Sequence, residues 1–586
     1  MHTWPILLLL CGAFLPLSAQ SDGFLRADGT RIVDGAGDTV IFRGIGLGGW
    51  MLQEGYMLKT RGPQYRIEQR ITELVGADRR DSFYAAWLAN HTRRADVEAL
   101  AGWGFNLIRL PMHYKLFTPP IGEEPVAGEN TWRDTGFTLT DSLLAWCRDN
   151  GMYLILDLHA APGGQGENAD INDYDPTKPA LWESEANREK TIALWRRLAE
   201  RYADEPAIAG YDIINEPNWG FQHHADDPNG CSETENLPLW ELQRDITAAI
   251  RTVDTNHLVI IEGNCWGNNY RGLPELWDDN LVVSFHKYWN PNDQASIQHM
   301  LNLREERNVP IWLGETGENS DTWFTDAISL FEKNGMGWAW WPLKKLGYNN
   351  PLQIPLNPGY QKIIDYWQDP APASAPDPDT AYAALMQLAE NTRFERNIPH
   401  PEVVDAMIRQ PHAETAVPFR AHRIGAGKAA YVYLTDFDLG RAGIAYADTE
   451  VDNTTTKAGG QAWNYGAAYR NDGVDIRVAA DARTNGYAVG WTAPGEWLQY
   501  TLSVDTGGTY RVALRSAAPE RGAVVRLTVD GTAVTPDVAL PATGDAETWR
   551  TTPLGTVRLE RGTAVVRLYV IGGGADLNWL SFEREE

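Results

Sequence analysis

Between residues 39 and 341 one rhythm repeats. A short β-branched or apolar run ends in a polar or Gly-rich turn, and an amphipathic stretch follows. The runs are Thr39–Phe42, Asn106–Leu110, Tyr153–Leu158, Gly210–Ile214, Leu258–Glu262, Val282–Phe285, Ile311–Gly314 and Gly337–Trp341, eight in all. Between the third and fourth, Ile192, Trp195, Leu198, Ala199 and Tyr202 fall on one face at helical spacing. Eight strands alternating with helices predict an α/β fold, a (β/α)8 barrel with parallel strands inside and helices outside. A doubly wound sheet is the competing topology. The stretch Gly44-Ile45-Gly46-Leu47-Gly48-Gly49 resembles a phosphate loop only weakly, because neither the helix nor the acidic residue of a dinucleotide site follows it.

Residues 369–379, Asp-Pro-Ala-Pro-Ala-Ser-Ala-Pro-Asp-Pro-Asp, read as a stiff break, and a helical patch follows at about 380–410 that either pads the barrel or spaces the domains. From about 426 helical spacing disappears. Alternating strands such as Glu496–Leu502, Tyr510–Leu514 and Val525–Val529 take over, separated by Asp-Gly and Gly-Gly turns. That texture predicts a β-sandwich of the jelly-roll kind. The expected division is 1–19, 20–368, 369–425 and 426–586, with barrel and sandwich acting independently across the Pro-rich break.

Residues 1–19 read as a signal peptide: Ile6-Leu7-Leu8-Leu9-Leu10 leads an apolar stretch that ends at Ser18 and Ala19, before Gln20. The expectation is secretion to an extracellular or periplasmic space. No later run approaches the ~20 apolar residues of a membrane span. Cys147, Cys231 and Cys265 remain after cleavage, either as one Cys231–Cys265 bridge or as three free thiols. A formal net charge of −27 disfavours nucleic acid and anionic membranes as partners and suits a neutral substrate. A monomer is expected.

The chemistry lies where the strands end. The second run ends in Arg109, the third in His159, the fourth in Asn215-Glu216-Pro217, the sixth in His286-Lys287-Tyr288, the seventh in Glu315 and the eighth in Trp341. A polar residue at one strand end is commonly a cap; six at one rim point to catalysis. Glycoside hydrolysis needs one carboxylic acid to protonate the leaving oxygen and one carboxylate to attack the sugar or activate a water. Glu216 and Glu315 are the candidates. One of the pair must hold its proton, which a rim of Trp and Ile favours, and the other must be ionised, which Arg109 and the His residues favour. A buried ion pair of one glutamate with Arg109 would leave Asn215, His286, Tyr288 and Trp341 unexplained. A metallohydrolase would need His and Asp at metal spacing, and His223-His224 is the only dense pair.

On the motifs Phe105-Asn106-Leu107-Ile108-Arg109-Leu110-Pro111, Leu158-His159-Ala160, Ile214-Asn215-Glu216-Pro217, His286-Lys287-Tyr288 and Leu313-Gly314-Glu315, residues 23–368 resemble glycoside hydrolase family 5. The resemblance implies a retaining enzyme that needs no cofactor, with Glu216 as acid/base and Glu315 as nucleophile. Asn215 would bond the 2-hydroxyl of the sugar, and Arg109 and Tyr288 would position Glu315. His159 and His286 would line the same subsite, with Trp341 as its floor. Arg43–Trp50 followed by Glu54, and Leu158–Gln165, are similar to the exo-β-1,3-glucanase branch, in which Glu54 would contact sugar hydroxyls. The stretch Trp340-Trp341-Pro342-Leu343-Lys344 departs from that branch, so cellulose, β-1,6-glucan and mannan stay open as substrates beside β-1,3-glucan. A non-catalytic glycan-binding barrel is the remaining alternative, disfavoured by the complete set of rim residues.

The sandwich resembles a family 6 carbohydrate-binding module through Ala445–Thr449, Tyr469–Ile476, Val489-Gly490-Trp491, Gly495-Glu496-Trp497 and Leu577-Asn578-Trp579. The resemblance implies a cleft that grips sugar between Tyr469 and Trp549, with Asp576 in place of the family's Asn. It also implies a structural calcium, although Tyr433 and Thr435 stand where the family has paired Glu residues.

Overall fold

The computed structural model describes residues 23–370, 375–425, 427, 429–451, 464–519 and 522–585. The expected signal peptide, residues 1–19, lies outside the described residues. Eight parallel strands close into a barrel, as the repeat predicts: β1 (Arg43–Gly46), β2 (Leu107–His113), β3 (Tyr153–Ala160), β4 (Ile208–Asp212), β5 (Leu258–Glu262), β6 (Leu281–Lys287), β7 (Ile311–Gly317) and β8 (Trp338–Trp341), with β8 pairing back to β1. An antiparallel hairpin, Arg26–Asp28 with Arg31–Val33, precedes it. Leu25 and Ile32 pack with Phe42, Leu107, Tyr153, Leu258 and Trp312 in one apolar cluster at the N-terminal end of the strands. That end is therefore an apolar floor, and the polar groups gather at the other.

The first strand lies four residues beyond the predicted run. Its sequence, Arg-Gly-Ile-Gly, is poor in β-formers, which hid it. The glycines are there for space: a Cβ on Gly46 would stand 2.5 Å from the Trp341 ring, and one on Gly48 would stand 2.7 Å from it. The Gly-rich stretch thus seats an indole rather than a phosphate. In the helix between β3 and β4, Glu185–Tyr202, the buried face includes Trp195, Leu198, Ala199 and Tyr202.

The segment after the barrel pads it. Helix Pro378–Asn391 packs Ala381, Leu385 and Leu388 against Ile67, Ile71, Phe83 and Trp87 of the helices after β1, and against Tyr360 and Ile363 of helix Pro358–Gln368. Helix Pro401–Ile408 adds Val403, Ala406 and Met407 to the main barrel core. Of the Pro-rich break, residues 371–374 lie outside the described residues.

The C-terminal region is a sandwich of two mainly antiparallel sheets around one apolar core, and it begins at His422–Ile424. The three predicted strands fall within Trp497–Val504, Gly508–Ala517 and Ala523–Val529. Cys231 and Cys265 are bridged, tying the loop after β4 to the turn after β5, while Cys147 is buried and free. Among the described residues no helix is long and apolar enough to cross a membrane.

Candidate active site

Side chains alternate across a strand, so every second residue near a strand's C-terminal end points into the barrel mouth. Arg109 of β2 sits there without solvent exposure. Its Nη1 donates to Glu315 Oε2 at 2.9 Å, and its Nε and Nη2 donate to Asp212 Oδ2 at 3.0 and 2.8 Å. Nη2 also donates to Asn215 Oδ1 at 2.8 Å, and Nη1 stands 3.2 Å from Asp157. One guanidinium, charged at any working pH, therefore organises β3, β4 and β7 at once. The Tyr288 hydroxyl donates to Glu315 Oε1, so both oxygens of that carboxylate are held.

Glu216 lies beyond β4 with φ +44°, the left-handed region that a non-glycine residue adopts at a cost of about 1 kcal/mol. Its backbone N–H donates to Glu262 Oε2 at 2.7 Å, and His286 Nδ1 meets its Oε1 at 2.6 Å. One carboxylate oxygen of Glu216 and one of Glu315 lie within 4.8 Å of each other. His159 is stacked on Trp341, ring centroids 5.0 Å apart and planes 8° apart. Its Nδ1 bonds Asp157, and its Nε2 faces Asn215 Nδ2 at 3.2 Å. Trp341 Nε1 donates to the Tyr56 hydroxyl at 3.1 Å. Glu54 is buried 4.0 Å from His159. The structure thus gathers all nine barrel residues singled out by sequence at one mouth.

Burial pushes the Glu315 carboxyl above the ordinary carboxylate range and Glu216 adds to the shift, while His286, His159 and Arg109 pull it back. The expected influence of Arg109 and the histidines is present, but burial outweighs it. Burial pushes Glu54 well above that range, with Glu315, Glu318 and Glu216 adding to it. Burial alone would strip His286 of its proton, but the Glu262 and Glu216 carboxylates win and hold its imidazole well above the ordinary range.

Asp157, Asp212 and Glu262 escaped the sequence reading. Asp157 shares a strand face with His159, and Glu262 ends the fifth run, so strand register held the signal. Glu262 anchors the strained backbone of Glu216 and stands 3.2 Å from His286 Nε2, an ion-pair contact without hydrogen-bond alignment. We expect Glu262→Gln to lower kcat/KM by about two orders of magnitude, the scale of a misplacement near 1 Å. It should also move the basic limb of the pH profile down, since His286 would lose its proton at lower pH. A pH–rate series on the variant checks both; an unmoved limb would remove Glu262 from this role.

Among the described residues, the one cluster of His, Cys, Asp and Glu spaced to hold an ion is Glu216, His286 and Glu315. Each already has a protein partner. At the module positions where calcium would need paired carboxylates, Thr435 is buried and its hydroxyl accepts a bond from Asn485 Nδ2 at 2.9 Å. Tyr433 supplies no carboxylate either, so these residues do not fit the ion.

The expected sugar cleft of the sandwich is corrected in its parts. Trp549 is packed against Ala479, Ala488 and Ala517, and its N–H donates to Ala480 O at 3.1 Å. Tyr469 stacks on Tyr487 and bonds Asp436, while Asp576 pairs with Arg477 at 2.8 Å. Trp549 thus spends its face on small core residues instead of offering it to sugar. The exposed rings are Tyr465 and Trp491, 42% and 51% accessible, with centroids 5.6 Å apart.

A parallel barrel whose mouth gathers carboxylates, an arginine, two histidines and an indole is the architecture of a glycoside hydrolase, and comparison with known proteins agrees. Residues 70–347 match the family model described as Cellulase (glycosyl hydrolase family 5), so the barrel is a glycosyl hydrolase family 5 domain. Residues 470–582 match Carbohydrate binding module (family 35). This corrects the family 6 expectation. Leu577, Asn578 and Trp579, among the residues that carried it, are buried, so they report the packing of the sandwich more than its subfamily. The chain is 27% identical over 378 residues to a protein named Beta-xylosidase from Phanerodontia chrysosporium, covering 58% of this chain and 75% of that one. It is 23% identical over 315 residues to Endoglucanase C of Acetivibrio thermocellus, covering 43% and 84%. It is 26% identical over 217 residues to Probable glucan 1,3-beta-glucosidase A of Aspergillus niger, covering 36% and 49%.

Proposed function

We propose that the chain is a secreted retaining β-glycosidase that hydrolyses β-glucan, with β-1,3-glucan favoured. Glu315 attacks the anomeric carbon while Glu216 gives its proton to the leaving oxygen. Water, deprotonated by Glu216, then releases the sugar from Glu315. The observation that carries this reading is that one oxygen of each carboxylate comes within 4.8 Å of the other, close enough for a direct attack without a water between them. Retaining enzymes hold the pair ~5–5.5 Å apart, and inverting ones ~6.5–9.5 Å apart, to admit a water. Arg109 and the Tyr288 hydroxyl aim Glu315, and His286 aims Glu216. Asn215, fixed by Arg109, turns its amide toward His159 and the sugar's 2-hydroxyl. Trp341, beside His159, is the subsite floor, and Glu54 bonds a sugar hydroxyl. The relative named glucan 1,3-beta-glucosidase favours the β-1,3 linkage. The apolar stretch before Gln20 supports secretion.

The test is product analysis on laminarin, lichenan, pustulan, carboxymethyl cellulose, mannan and an aryl β-xyloside, with the anomer of the first product read by proton NMR. We expect the fastest release from laminarin and a β-anomer at early times. An α-anomer would overturn the mechanism. A preference for mannan or the xyloside would move the substrate to another β-glycan and leave the mechanism standing.

A further inference from the structure

We propose that the sandwich belongs to the catalytic apparatus: Asn471, on one of its loops, is a positioning residue for Glu315. The proposal rests on the reading of Glu315 as the nucleophile.

Beyond Glu315 the chain runs through Glu318, which has φ +54°, and Asn319 to Ser320, the cap of helix Asp321–Lys333. The first N–H groups of a helix have no partner within it. Here the Asp321 N–H finds one 150 residues away, the backbone carbonyl of Asn471, at 3.1 Å. The Asn471 amide donates in return to Asn319 O and to Asp321 Oδ1, each at 2.9 Å. Asn471 is wholly buried. Three polar groups of the loop that follows the nucleophile are thus satisfied by the sandwich. Without it they would need water or a new backbone path, since an unpaired buried polar group is costly.

That loop reaches the chemistry in two further bonds. Asn319 Nδ2 donates to Tyr288 O at 3.0 Å, and the Tyr288 hydroxyl donates to Glu315. The brace is stiff. Beside Asn471, Arg470 pairs with Asp472 at 2.6 Å and lies 3.6 Å over the Phe437 ring. A second contact runs parallel, from the Tyr446 hydroxyl, which accepts the Gly473 N–H at 3.2 Å, to Thr322 Oγ1 at 3.1 Å. The sandwich touches the outer helix Asp321–Lys333 through Thr322 and also closes the turn between the nucleophile strand and that helix, a contact that the independence expected from the Pro-rich break does not include.

The test uses the full chain carrying Asn471→Ala or Thr322→Val, the second a near-isosteric change that spares the fold. The substrate is the soluble aryl β-glycoside that the wild type turns over fastest. Active sites are counted by trapping with the matching 2-deoxy-2-fluoro glycoside, and the label is placed by peptide mapping. We expect kcat per labelled site to fall about tenfold or more for Asn471→Ala and severalfold for Thr322→Val, with KM nearly unchanged, as misalignment near the reacting atoms predicts. A purely structural role would lower the number of labelled sites and leave kcat per site at the wild-type value in both variants, which would overturn the proposal. A wild-type label on a residue other than Glu315 would instead defeat the underlying assignment.

Discussion

Glu315→Gln is expected to lose turnover by four or more orders of magnitude while keeping its fold, on the scale that nucleophile removal costs other hydrolases. The amide has the shape of the carboxylate but cannot form the glycosyl ester, so both chemical steps disappear. Arg109 can still donate to the amide oxygen at the Oε2 position, which preserves the local geometry. Buried charge points the same way: Arg109 faces Asp157, Asp212, Glu262 and Glu315, so removing one negative charge leaves the guanidinium well compensated. Activity on an aryl glycoside and a thermal melt, taken on the same preparation, check this. Retention of more than about a hundredth of wild-type activity would defeat the nucleophile assignment.

Glu216→Ala should separate the two halves of the reaction. General acid–base catalysis contributes about 10²–10⁴-fold, and most when the leaving group is a poor one. Hydrolysis of an unactivated glucan should therefore fall by about that factor. A dinitrophenyl glycoside, whose leaving group needs no proton, should still glycosylate Glu315 and then stall, because no base activates water. Azide needs no deprotonation and fits the space left by the carboxylate. It should restore turnover and yield the β-glycosyl azide. An α-azide, or no rescue at all on the activated substrate, would remove Glu216 from the acid/base role.

Much of this was legible in the chain. Strand ends carry the chemistry of a parallel barrel, so the order of Arg109, His159, Asn215, Glu216, His286, Tyr288, Glu315 and Trp341 could be read directly. Asp157, Asp212 and Glu262 were not read, because a carboxylate that serves another side chain looks in sequence like any acidic residue; only strand register marks it as inward. The first strand was misplaced because its glycines answer to the Trp341 ring, a contact across nearly 300 residues that local propensity does not see. The cleft residues of the module are a different case. Trp549 has the size of a sugar platform, yet Ala479, Ala488 and Ala517 form a recess that takes its face. Small residues far apart in the chain give no local sign that they share a recess. The brace at Asn471 was illegible for the same reason, since its partners lie 150 residues upstream.

The helices Pro358–Gln368, Pro378–Asn391 and Pro401–Ile408 bear on how such a chain comes to fold as it is synthesised. When β8 emerges from the ribosome the strand cylinder is complete, but Ile67, Ile71, Phe83 and Trp87 still face water. Each large apolar side chain left exposed forgoes about 1.5–3 kcal/mol. Their cover begins with Leu346, Ile354, Tyr360 and Ile363 and is completed by Ala381, Leu385 and Leu388. The apolar cover of the barrel therefore does not end with the cylinder and the helices between its strands. It extends to about residue 408, and a chain halted at 368 would present a sticky flank to chaperones and to other copies of itself.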